Sequence, residues 1–277
     1  MGRTVVVTGA SSGVGLAAAE QFAAQGDHVV VVGRSEERLD AAVARVRAAG
    51  GGREPGRFQA DFERLADVRQ LAAHLLAAYP AIDVLANNAG GMVGGYRRTV
   101  DGFEATIQSN HLAPFLLTNL LRERLAGARL VATASRVHTQ GRPDPADFTG
   151  DAGRFRWGRA YAAAKSANIL FAAEAARRWP DVTSVSFHPG VVRSNFGEGP
   201  VRLVYRFAPF LTTPEKAGAL LVWLATAPAT APATAAAGGL TDGGYYVGHR
   251  LTRPAAHAAD PAAAAALWDA SAAAVGV

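Results

Sequence analysis

The chain has 277 residues, 49% of them hydrophobic and 18% charged, with a formal net charge of +5. That length and apolar fraction suit one large α/β domain, residues 1–277, with a substantial core, and they argue against disorder. There is no cysteine, which excludes disulfides, thiolate metal sites and cysteine nucleophiles.

The basic residues are scattered among acidic ones, as in Arg34-Ser35-Glu36-Glu37-Arg38, and no basic block exceeds a pair of arginines. Such a distribution describes solvated helix faces, so no nucleic-acid partner is expected. A strand starts almost at once, with no charged segment and long apolar run ahead of it. No stretch reaches the roughly 20 apolar residues that span a bilayer. The expectation is a cytoplasmic protein without a membrane span.

Thr4–Thr8 is β-branched and predicts a buried parallel strand. It runs into Gly9-Ala10-Ser11-Ser12-Gly13-Val14-Gly15 and a helix over Leu16–Gln25. A strand, a glycine-rich turn and a helix start are the parts of a dinucleotide site, because bare backbone and free N–H groups can approach a pyrophosphate. The spacing G-x-x-x-G-x-G differs from the G-x-G-x-x-G fingerprint, so the likeness is one of mechanism. A second strand, His28–Val32, ends in Gly33-Arg34. An acidic residue there would take the ribose 2′-hydroxyl of NAD; a guanidinium suits the 2′-phosphate of NADP.

A third strand is predicted at Arg57–Ala60, followed by Asp61, a candidate adenine partner. Helical Glu63–Tyr79 leads to a strand at Ile82–Ala86 and to Asn87-Asn88-Ala89-Gly90, which suits a turn, a cofactor border, or both. Phe103–Leu125 has helical spacing. His111 within it lacks companions at metal spacing and is expected to be a packed core residue, so no metal site is predicted. Asn110 has poor helix propensity and needs a reason to be there.

Leu130–Ala134 predicts a fifth strand with Ser135 at its end, and Arg136–Arg159 a long loop. Helical Ala160–Trp179 carries Tyr161 and Lys165, four residues apart on one face. A free phenol, with a pKa of about 10, is a poor acid–base group at neutral pH. A neighbouring cation favours the phenolate and brings it towards working range. On that pair alone, a surface Tyr and a surface Lys without a joint role is the plainer reading.

Val182–Phe187 predicts a sixth strand, ending in His188-Pro189-Gly190. The apolar and glycine-rich segment 195–211 suits either a substrate lid or a packed connection. Helical Pro214–Thr226, an Ala-Thr-Ala-Pro repeat, a last strand near Gly244–Gly248 and a helix at Ala262–Val275 complete the chain. Alternating strands and helices predict an α/β fold, a single doubly wound Rossmann-type parallel sheet of about seven strands with helices on both faces. Gly9–Gly15, Arg34, Asp61, Asn87–Gly90, Ser135 and His188–Ser194 all follow predicted strands and would gather along one edge of that sheet.

Thr8-Gly9-x-x-x-Gly13-x-Gly15, Asn87-Asn88-Ala89-Gly90, Ser135, Tyr161-x-x-x-Lys165 and Pro189-Gly190 stand in the order of the short-chain dehydrogenase/reductase motifs. The chain resembles that family over essentially its whole length. Ser109-Asn110-His111-Leu112, Tyr161 to Phe171, His188 to Ser194 and Leu267-Trp268-Asp269 are similar to its retinol-dehydrogenase-like branch. Most of that branch is membrane-anchored or acts on retinoids, whereas no anchor is expected for this chain. The resemblance implies Tyr161 as acid and base, Lys165 on the nicotinamide ribose, Ser135 on the substrate oxygen and Asn110 on a proton-relay water. Thr133 is the weaker candidate for the serine's place. The implied cofactor contacts are Gly9, Ser11, Ser12, Gly13, Val14, Gly15, Arg34, Asp61, Phe62, Asn88, Ala89 and Gly90. Further along they are Tyr161, Lys165, Pro189, Gly190, Val192 and Ser194.

The resulting expectation is an NADP-dependent oxidoreductase interconverting a carbonyl and an alcohol on an apolar small molecule, with NAD the lesser candidate. The alternatives are a reductase of a larger biosynthetic intermediate or an activated C=C bond, and a non-catalytic NADP-binding sensor or scaffold. The resemblance also allows a homodimer or homotetramer that pairs the helices at Phe103–Leu125 and Ala160–Trp179, as in many family members, although monomers are known too.

Overall fold

In the computed structural model, which describes residues 2–192, 211–229 and 239–277, the valine-rich runs form the middle of one sheet. Its strands are β1 (Thr4–Thr8), β2 (His28–Gly33), β3 (Gly56–Gln59), β4 (Val84–Asn87), β5 (Arg129–Thr133), β6 (Thr183–His188), β7 (Tyr245–Val247) and β8 (Arg250–Leu251). They lie in the order β3-β2-β1-β4-β5-β6-β7-β8. The first seven run parallel, and β8 returns antiparallel to β7. The expected seven-stranded sheet therefore gains a two-residue edge strand, too short to carry an alternating pattern.

Alternation sorts each strand between two cores. Val6, Val30, Leu85 and Leu130 face one cluster, while Val5, Val7, Val29, Val31, Val84 and Val131 face the other. The first is covered by α3 (Leu65–Ala78), α5 (Ala113–Leu120), α6 (Trp157–Arg178) and α8 (Pro261–Val275), with Leu71, Phe115, Phe171 and Trp268 buried. The second is covered by α1 (Gly13–Ala24), α2 (Glu36–Ala49) and α7 (Pro214–Thr226), with Phe22, Leu39 and Leu221 buried. Strand order reverses between β1 and β4, which opens a crevice beyond the strand C-termini.

Two expectations change. The run Phe103–Leu125 is not one α-helix: after a single turn, α4 (Ala105–Ile107), it widens into a π-turn over Gln108–Leu112 before α5, and closes in a 3₁₀ turn at Arg122–Arg124. Helix α6 begins at Trp157, ahead of the expected Ala160. Its first turn is exposed and shows no apolar period, which hid the start.

Helix α6 is anchored at its far end. Glu174 is buried and accepts from the guanidinium groups of Arg177 and Arg178, which hold its carboxyl below the usual range. Arg178 also reaches Asp269 of α8 at 2.7 Å, and His111 meets Ser271 of α8 at 2.9 Å.

Candidate active site

The glycine-rich turn sits where β1 enters α1. Gly9 and Gly13 have φ of +66° and +56°, backbone that L side chains rarely adopt. A Cβ at Gly9 would come 2.8 Å from Ala89 Cα, whereas one at Gly13 would meet open space. Gly9 thus serves the fold, and Gly13 leaves bare backbone with open space beside it. Ser12 does not cap α1 with its side chain, and the first turn holds no acidic residue. Uncapped N–H groups beside bare glycine fit an anionic diphosphate. Ser11 packs behind them, against Gly33.

Thr8 ties this turn to the end of β4. Its hydroxyl donates to Ala86 O at 3.1 Å and accepts from the N–H groups of Asn88 and Ala89, each at 3.0 Å. Asn88 returns its side-chain amide to Thr8 O at 3.0 Å. Asn87 points elsewhere, to Thr118 of α5 at 2.8 Å. Of the two amides, Asn88 is the one tied to the glycine-rich turn.

Lys165 is 2% exposed on α6. Its Nζ donates to Thr133 O at 3.2 Å and lies 5.3 Å from the centroid of the half-buried Tyr161 ring. Burial pulls its pKa down to about 7, since an ammonium so poorly solvated has little to hold its proton. Gly90, at φ +144°, lies against Asn110 Oδ1, and a Cβ there would also stand 3.4 Å from Lys165 Nζ.

The π-turn explains Asn110. Its amide donates to Thr106 O and Gly91 O, both at 2.9 Å. Oδ1 is buried without a partner among the described residues. An orphaned acceptor and a partly satisfied ammonium bordering one glycine fit a hydroxyl-bearing ligand or a relay water.

Ser135 follows β5 and is half-buried, its Oγ accepting from Val137 N at 3.4 Å. The hydroxyl of Thr133 is instead directed to Asn88 Oδ1 at 3.3 Å, which leaves Ser135 as the better candidate. Ser135 O accepts from His138 Nδ1 at 2.8 Å, and His138 Nε2 accepts from Ala255 N at 3.1 Å. Because Nε2 accepts while Nδ1 donates, the ring is neutral with its tautomer set by these two bonds, and burial lowers its pKa.

Arg34 follows β2, its side chain 62% exposed and its Nη1 3.6 Å from Glu63. Glu63 is held by a two-pronged contact from Arg97, so the Arg34 fork remains available to an incoming anion. The Asp61 carboxylate accepts from Glu63 N at 3.1 Å, and Phe62 packs into the core. After β6, Gly190 has φ +90° against Thr212, and Val192 bridges to Thr212. Pro189 occupies the same strand end. Ser194, and the 195–211 segment apart from Leu211, lie outside the described residues.

Among the described residues these positions stand beyond the C-terminal ends of β1, β2, β3, β4, β5 and β6 or on α6, apart from Asn110 in the π-turn. Thr8, His138 and Asn168, which donates to Thr133 O at 3.0 Å beside Lys165, were not anticipated in these roles. Asn168 could have been found: it is three residues past Lys165 on the same helical face.

A family model described as short chain dehydrogenase matches residues 3–199. A Streptomyces sp. (strain C5) protein named as a daunorubicin C-13 ketoreductase is 54% identical over 276 residues, covering 99% of this chain and 93% of its own. Human retinol dehydrogenase 13 is 32% identical over 295 residues, covering 100% and 85%. Among solved structures, a short-chain dehydrogenase from Shigella flexneri 2a complexed with NADP has a TM-score of 0.67 at 27% identity, over 90% of this chain and 97% of that one.

Proposed function

The chain belongs to the short-chain dehydrogenase/reductase family, and from that premise we propose an NADP-dependent oxidoreductase that interconverts a carbonyl and an alcohol on an apolar small molecule. The observation that carries this reading is the placement of Lys165 Nζ over the Tyr161 ring, with Gly90 and Asn110 Oδ1 beside it.

In reduction the Tyr161 hydroxyl gives its proton to the carbonyl oxygen, and in oxidation the phenolate takes it from the alcohol. A cation at Lys165 lowers the cost of that phenolate. Ser135 Oγ donates to the substrate oxygen, where negative charge develops. Asn110 Oδ1 accepts from a water that resupplies protons past Lys165. The nicotinamide supplies the hydride chemistry when bound. The N–H groups of Gly13–Gly15 suit its diphosphate, the Lys165 ammonium its ribose, and the Arg34 guanidinium the 2′-phosphate. The Streptomyces relative is named for ketone reduction and the human one for alcohol oxidation, the two directions of one reaction.

The test is NADPH oxidation across a panel of aldehydes and ketones, with Tyr161→Phe beside the wild type. That variant should keep NADPH affinity and lose about 10²- to 10⁴-fold in kcat. Near-normal turnover would remove Tyr161 from the chemistry. NADPH binding with no turnover on any substrate would favour a cofactor-binding role alone.

A further inference from the structure

A cavity of about 650 Å³ opens between the loop after β5 and the β7–β8 hairpin. Three guanidinium groups line it, those of Arg136, Arg250 and Arg253, and among the described residues no carboxylate does. Elsewhere on the surface, arginines such as Arg45, Arg47 and Arg57 sit on acidic partners at 2.5 to 2.8 Å. Among the described residues, the three in the cavity have no ion pair. Three like charges sharing one concavity repel one another unless a negative group enters.

A second observation points the same way. Tyr245 lines the cavity at 2% exposure, and its hydroxyl is buried without a hydrogen-bond partner among the described residues. Burial pushes that phenol up to about 12, so at neutral pH it keeps its proton and can donate. His138, also in the wall, has both ring nitrogens engaged by Ser135 O and Ala255 N and offers no acceptor. The polar part of the wall is therefore rich in donors, a poor host for a cation or an amine and a good one for an oxyanion. Val247 and Leu251 add an apolar side.

We propose that this cavity binds an anionic group, a carboxylate or a phosphate, through Arg136, Arg250, Arg253 and the Tyr245 hydroxyl. Because Arg136 directly follows Ser135, an acidic group carried by the substrate would dock here while its carbonyl lies at the site. That source of the anion rests on the proposed function; the binding itself does not.

The test measures fluorescence anisotropy of 1-pyrenebutyrate and its neutral congener 1-pyrenebutanol against the full chain with saturating NADP. The wild type should prefer the carboxylate by about tenfold or more, a margin that charge-assisted bonds supply. Arg250→Ala with Arg253→Ala should reduce that preference to about twofold, and the matching double Lys variant should retain most of it. Equal affinity for the two probes in the wild type, or a preference that survives the double Ala variant, overturns the proposal. Displacement of the probe by inorganic phosphate assigns the site to a free anion. A lower KM for a keto acid than for its methyl ester assigns it to the substrate. Since the readout is binding, an intact preference without carbonyl turnover counts against the proposed reaction and not against the site.

Discussion

Gly90 lies so close to Asn110 that a methyl group on its Cα would overlap Oδ1. The same carbon holds φ +144°, so alanine there meets both a strained backbone and a displaced side chain. Gly90→Ala is expected to cost about 2 kcal/mol of stability. It should also lower kcat by more than it raises KM, since Asn110 is not a substrate contact. Thermal melts and steady-state kinetics on the same preparation check this. Unchanged values in both would show that Asn110 yields without consequence.

Arg34 is the one strongly basic group at the end of β2, and Glu63 nearby is already committed to Arg97. Arg34→Ala should weaken NADPH by about tenfold or more while changing NADH little, as expected for the loss of a charge-assisted phosphate contact. Titration of both nucleotides by fluorescence decides it. Equal losses would remove the 2′-phosphate argument.

Burial holds the pKa of Lys165 at about 7 in the cofactor-free fold, against about 10.4 for a free lysine. Between these values the unfolded chain holds a proton that the folded one lacks, so stability rises with pH across that window. The cost of burial is full below the folded value and fades as pH approaches the unfolded one. Lys165→Met should flatten the slope and raise the urea midpoint at pH 7 more than at pH 9. A slope that persists in the variant would mean that Lys165 keeps its proton in the fold.

His111 titrates in the opposite range. Burial lowers it to about 4, and His188 is lowered likewise to about 4. A depressed histidine keeps the fold at full stability above its unfolded value, about 6.5, and withdraws that stability as pH falls towards 4. His111→Gln, which leaves a polar group facing Ser271, should lose less stability between pH 7 and 5 than the wild type does. Equal acid sensitivity of the two proteins would argue that His111 is protonated in place.

Local signals carried much of the fold. Thr4–Thr8 is β-branched throughout and stops at a glycine, so both its ends were legible. Pro214–Thr226 is announced by Thr213, whose hydroxyl accepts from Lys216 N, and by proline in the first turn. Gly9–Gly15, Asn87–Gly90, Ser135 and Pro189-Gly190 were legible because each follows a strand, and Tyr161 with Lys165 because four-residue spacing puts them on one helical face. What escaped depends on partners far along the chain. The π-turn exists where the Asn110 amide competes for Thr106 O and reaches Gly91, a contact that periodicity does not encode. The arginine-lined cavity joins Arg136 to Arg250 and Arg253, more than a hundred positions away, and β8 is only two residues long. The segment 195–211, read as lid or connection, falls almost wholly outside the described residues.

The family match ends at residue 199, yet the loop carrying Ser135 is braced from beyond it. Ala255 donates to His138, and His257 meets His138 O and Gly141 O at 3.1 and 3.0 Å. The stiffness of that loop is thus inherited with the tail of the chain and not with the motifs. Two relatives can share every motif residue and still hold the serine differently, and exchanging tails between them would transfer the brace without touching the catalytic set.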